Sequence, residues 1–88
     1  MVVVSGELKS GLERELVAEA PPDHRLHGQR AIATAKCGGC DDVIFQLDHG
    51  WALVHLTWAR RAEQLPWPTT FITGTWAECV RLAQVRAH

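Results

Sequence analysis

Asp41-Asp42-Val43-Ile44-Phe45-Gln46-Leu47-Asp48-His49-Gly50-Trp51-Ala52-Leu53-Val54-His55-Leu56-Thr57-Trp58 reads as two strands folded back on each other at a His49-Gly50 pair. A two-residue loop with Gly is a favoured hairpin connection, because Gly supplies the positive φ that a primed turn needs. Centring the turn there sets Asp48 against Trp51, Gln46 against Leu53, Ile44 against His55 and Asp42 against Thr57 on one face. The other face pairs Leu47 with Ala52, Phe45 with Val54, Val43 with Leu56 and Asp41 with Trp58, and is almost wholly apolar. The apolar face is the expected core side. The mixed face is where recognition or chemistry is expected.

Working outward, 7–19 sets Leu8, Leu12, Leu16 and Ala20 four residues apart with Val17 beside them, which predicts an amphipathic helix. Ser5 is one candidate cap, and Ser10 with Glu13 is an alternative capping box. Pro21-Pro22 ends the helix, since proline disfavours helical geometry in the residue before it. Residues 29–36 read as a further strand turning at Cys37-Gly38-Gly39-Cys40. If Cys37 opposes Cys40, Ile32 meets Phe45 on the core side, and Ala31, Ala33 and Ala35 line the other. After Trp58 a long connection runs to Gly74, within which 70–73 could form a short edge strand. Thr75 followed by Glu78 is a second capping box, opening a helix to about Arg86 whose apolar stripe is Trp76, Cys79, Val80 and Ala83. The expectation is one α+β domain over 1–88: helix, three-stranded antiparallel meander with an optional fourth edge strand, helix, in two layers.

Composition sets outer bounds. With 88 residues, 47% of them hydrophobic and 22% charged, the chain has room for one core and is not a disordered segment. A net charge of −1, from nine basic against ten acidic residues, gives no field for a nucleic-acid backbone or an anionic membrane. The opening Met-Val-Val-Val-Ser lacks a basic flank and stops at Gly6, so neither a leader nor a span is expected and the reading is cytoplasmic. Three cysteines are an odd number and suit a reducing compartment. A domain this small is typically stable by only ~5 kcal/mol, so self-association would help it. No cofactor is expected.

Three groups of side chains could carry function. Cys37 and Cys40 have the spacing of half a zinc knuckle, but tetrahedral zinc needs two more ligands, and His24, His27, His49 and Cys79 offer no convincing second half. A tight Gly-Gly turn explains the same residues. Asp42, His55 and Thr57 share a face, where a carboxylate diagonal to an imidazole could orient it for acid/base work. A register-fixing polar network accounts for the same residues, as polar cross-strand pairs are routine sheet stabilisers. Ile44, Trp51, Leu53 and His55 make the mixed face too apolar to leave bare, so either a helix covers it or a protein partner or second copy does. Trp58, Trp67 and Trp76 suit core or loop-pinning roles better than base stacking, given their scattered basic neighbours.

Asp41-Asp42-Val43-Ile44-Phe45, then Val54-His55-Leu56-Thr57-Trp58, then Trp67-Pro68 resemble the DDVxF, VHLTW and WP signature of a family of small bacterial proteins of unassigned function. Pro21-Pro22, His24 and Leu26-His27-Gly28 resemble its helix-to-strand loop. The resemblance runs from about Leu12 to Val80, with the Cys37–Cys40 turn and the Arg60–Gln64 segment individual to this chain. It implies a bacterial cytoplasmic protein of α+β fold and no particular reaction. The leading expectation is an interaction module, more a binder than an enzyme, acting through Ile44, Trp51, Leu53 and His55. The alternatives are a small-molecule or acid/base site at Asp42 and His55, and a metal site at Cys37 and Cys40.

Overall fold

A computed structural model of the chain describes residues 1–38, 41–65 and 67–86. The elements in order are β1 (Val2–Val3), α1 (Gly6–Glu19), β2 (Ile32–Lys36), β3 (Asp42–Leu47), β4 (Gly50–His55), β5 (Thr69–Thr73) and α2 (Trp76–Arg86). The strands form one antiparallel sheet in the order β1-β2-β3-β4-β5. Class and meander are as expected, and β5 is the suggested edge strand. The fifth strand, β1, comes from the Val-Val opening, which pairs with Lys36 and Ala35 while Val4 drops into the core.

The two-layer expectation is corrected to three. Leu12 and Leu16 of α1 pack with Val43, Phe45, Leu47, Ala52 and Val54 on one face. Cys79 and Ala83 of α2 pack with Ile44 and Leu53 on the other. Successive strand residues point to opposite faces, so the two clusters put one helix on each side of the sheet.

The hairpin turn is also corrected. Leu47 pairs with Gly50, so Asp48-His49 is the loop, and Asp42 lies directly opposite His55 rather than Thr57. Gly50 instead opens β4 with φ +128°, where a Cβ would sit 2.7 Å from the Thr73 carbonyl oxygen. Both the positive φ where the chain leaves the turn and the close approach of β5 require glycine there. Moving the turn centre by one residue changes each partner by two, so the division into two faces survives while the pairs change.

In β2 a bulge between Ala33 and Ala35 replaces the expected register. Ile32 faces Gln46, Ala33 faces Phe45 and Ala35 faces Ile44. The extra residue of a bulge reverses which side the chain presents, so Ala33 joins the α1 cluster and the alanine stripe is broken. The expected opposition of Cys37 and Cys40 lies outside the described residues, because Cys40 does.

In α1 the buried positions are Leu12, Glu15, Leu16 and Glu19, while Leu8 and Val17 are exposed. Ser5 occupies the cap position without a side-chain bond, and Glu13 bonds Lys9 and the Ala33 amide rather than closing a box with Ser10. At the start of α2 one arm of the second box forms, with the Glu78 amide donating to Thr75 Oγ1 at 3.1 Å and the Thr75 hydroxyl donating to Glu78 Oε1 at 3.0 Å. His24 locks the connection after α1: Leu26 N–H donates to its Nδ1 at 3.0 Å, so Nε2 carries the proton and donates to the Pro68 carbonyl at 2.9 Å.

Candidate functional site

Asp42 and His55 meet as a direct cross-strand pair. His55 Nδ1 lies 2.8 Å from Asp42 Oδ1. Arg86, in the last turn of α2, grips the same carboxylate through Nε to Oδ2 at 3.0 Å and Nη2 to Oδ1 at 3.3 Å. The guanidinium also lies 4.9 Å from the Phe71 ring centroid, so β3, β4, β5 and α2 converge on one buried carboxylate. Burial alone would push the Asp42 carboxyl up, yet the Arg86 guanidinium and His55 outweigh it and hold the group below its usual range. The carboxylate orients His55 at Nδ1 and leaves Nε2 without a protein partner among the described residues, on a side chain 38% exposed.

Thr57 does not join this group. The strand ends at His55, and the Thr57 amide turns instead to Glu19 Oε1 at 2.8 Å, with its hydroxyl toward Glu63. The expected Asp42–Thr57 opposition is therefore replaced by an Asp42–His55–Arg86 cluster. No sequence pattern marked Arg86 for it, because a cation at the end of a helix is already accounted for by the dipole.

Ile44 and Leu53 are fully buried beneath α2, so they offer no surface to a second molecule. Of the two alternatives for the mixed face, helix cover applies across its middle. Trp51 is half-buried at the turn end of the same face, with its ring 5.0 Å from that of Trp76 in an edge-to-face arrangement. Trp76 remains 37% exposed. The length of α2 matches the span: about 15 Å of helix at ~1.5 Å per residue runs from Trp51 to the Asp42 cluster. Its two ends are fastened by Trp76 and Arg86. Trp58 and Trp67 are exposed as well, so of the core and loop-pinning roles expected of them the core role does not apply, and Trp58 Nε1 donates to Asp41 Oδ1 at 3.2 Å.

Sequence reasoning missed two buried acids. Glu15 and Glu19 sit one turn apart on the inner side of α1, and Glu19 is 0% exposed. Glu19 accepts the Thr57 and Trp58 amides through separate oxygens, each at 2.8 Å, and Glu15 accepts the Arg60 amide at 2.9 Å. These carboxylates hold a connection in which Trp58 and Arg60 both have φ near +60°. Burial first, and a hydrogen bond with Glu15 second, push the Glu19 carboxyl up to about 7, against the pull of the amides. The signal for them was present in the sequence, since Glu15 and Glu19 fall on the Leu12–Leu16 side of the helix, but charge in a helix is ordinarily assigned to the solvent face.

Cys37 is half-buried after β2, where its amide donates to the Asp42 carbonyl at 2.9 Å. Cys40, the other half of the candidate metal site, lies outside the described residues. Among those described, no three His, Cys, Asp or Glu are placed to hold a metal ion. Cys79 faces the sheet under α2, where burial raises its thiol pKa. Within the same residues no helix is long and apolar enough to cross a membrane. Comparison of the chain with protein-family models, with curated proteins and with solved structures gives no match.

Proposed function

We propose that this chain is a non-enzymatic protein-binding module whose recognition surface is the Trp51–Trp76 end of the sheet, next to exposed Gln46. The observation that carries the reading is the edge-to-face indole pair, held across two elements and half open to solvent. Large rigid aromatics lose little conformational freedom on binding and dominate interface energetics, so a preorganised pair is a suitable anchor. It retains the part of the expected surface that α2 leaves accessible, with Trp51 kept and Ile44 and Leu53 given up.

Site-specific incorporation of a photo-cross-linking residue tests it. A cross-linker at Gln46, exposed and paired with Trp51, should yield discrete protein adducts in cells, whereas one at Val85, exposed near the other end of α2, should not. Adducts with the chain itself would identify the partner as a second copy, to be matched by concentration-dependent sedimentation that Trp76→Ser abolishes. Equal adduct patterns at Gln46 and Val85, or none at Gln46, would refute the proposal.

A second reading rests on the oriented His55. With Nδ1 held by Asp42, its Nε2 could accept a proton from a small bound molecule. The guanidinium already occupying both Asp42 oxygens favours a structural clasp over catalysis.

A further inference from the structure

On the opposite side of the sheet from the indole pair, a concavity of about 460 Å³ opens between the C-terminal half of α1 and residues 26–31. That volume falls within the ~300–1,000 Å³ of small-molecule sites. Its apolar lining comes from Leu16, Ala20, Leu26 and Ala31. Val17 stands at its edge 77% exposed, an apolar side chain that the core does not use.

The polar residues around it are unequal. Glu13 is neutralised by Lys9 at 2.7 Å and accepts the Ala33 amide at 3.0 Å, so it is already satisfied. His27 points Nδ1 at the Ala20 carbonyl, 3.3 Å away, and since a carbonyl only accepts, that nitrogen is the donor. Arg30 makes no hydrogen bond or ion pair with any described residue, and Asp48, which shares a neighbouring depression with it, is not within ion-pair reach. An unpaired guanidinium beside an apolar hollow is complementary to a carboxylate carried on an apolar body.

We infer that this concavity binds a small organic anion, its carboxylate against Arg30 and its chain or ring against Val17 and Ala31, over a nearly closed floor of Leu16, Ala20 and Leu26. Apolar burial supplies affinity, and the guanidinium selects the charged head over a neutral one. The site is independent of the indole surface, and the failure of either proposal leaves the other standing.

Octanoate and its uncharged counterpart octanol are the probes, titrated into isotope-labelled protein and followed by amide chemical shifts. Octanoate should give saturable shifts confined to Val17, Gly28, Gln29, Arg30 and Ala31, and should bind more tightly than octanol. Arg30→Gln, at an exposed position, should weaken octanoate by about tenfold, as expected for loss of a charge-assisted pair, and leave octanol unchanged. Ala31→Phe should fill the hollow and remove both. The inference is overturned if octanoate shifts do not saturate, if they map to another face, if octanol binds as well as octanoate, or if Arg30→Gln leaves octanoate binding intact. Should Ala31→Phe fail to fold, the Arg30→Gln comparison decides alone.

Discussion

Replacing Glu19 with Gln probes the most unusual feature of the interior, a carboxyl with no exposure that faces two backbone amides and a second carboxyl. Its folded pKa is raised, from 4.5 to about 7. A carboxyl raised on folding contributes its full stability below the unfolded pKa and loses it as pH rises through the folded one. A shift of that size corresponds to roughly 3 kcal/mol, at ~1.4 kcal/mol per pH unit, which is a large part of the ~5 kcal/mol expected of so small a domain. Wild-type stability should therefore fall between about pH 4.5 and pH 7–8. Glu19→Gln abolishes that titration but puts an amide NH2 where the Thr57 or Trp58 N–H needs an acceptor, a penalty of about 1–3 kcal/mol. The variant should be less stable than wild type at pH 5 and draw level with it, or pass it, by pH 8. Urea denaturation of both proteins across pH 5–8 measures the difference, in which contributions common to the two proteins cancel. Parallel profiles would refute the assignment of a raised pKa to Glu19.

Three further outcomes follow from the same interior. Arg86→Ala leaves the buried Asp42 carboxylate with His55 alone and should destabilise by about 2–3 kcal/mol, with hydrogen exchange accelerated first in the last turn of α2. Because the Asp42 pKa is lowered in the folded state, its contribution is present above the ordinary carboxylate range and is lost on acidification below about pH 4; Asp42→Asn should flatten that acid limb, and an unchanged acid midpoint would count against the clasp. Gly50→Ala places a Cβ 2.7 Å from the Thr73 carbonyl at a φ of +128° and should destabilise by more than ~2 kcal/mol in thermal melts, whereas Gly28→Ala, with open space around it, should lose only about 1 kcal/mol.

The sheet was legible because alternation in Val43–Leu47 and Trp51–His55 is strong enough to survive an error in the turn. The His49-Gly50 signal misplaced the loop by one residue, since Gly50 supplies its positive φ and its room for Thr73 from the first position of β4 rather than from within the loop. Face assignment persisted and pairing did not, so Asp42 and His55 were placed on one side but as diagonal neighbours instead of opposite ones. The second helix was legible in its cap and its stripe. Which layer it occupied was not, because periodicity defines a helix's apolar side without saying which face of a sheet receives it. The bulge at Ala33–Ala35 had no signature at all, as no Gly or Pro marks it.

The buried acids show the deeper limit of pattern reading. Glu15 and Glu19 occupy core positions of α1 because Thr57, Trp58 and Arg60 bring three backbone amides to them from a connection 38 to 45 residues downstream. No local window contains both partners, and without the partners a buried carboxylate is strongly disfavoured. Once the amides are in place the logic inverts: the connection has left-handed backbone at two non-glycine residues, and the acids hold it there through three amide hydrogen bonds. The Glu pair and the 57–63 segment are thus one unit, and the stability of that connection should follow the protonation of Glu19. A loss of amide protection at Thr57 and Trp58 as pH is raised through 7, larger than the ordinary base-catalysed rise measured in a control segment such as β3, would mark that coupling. Equal acceleration in both segments would mean that the acids merely fill space.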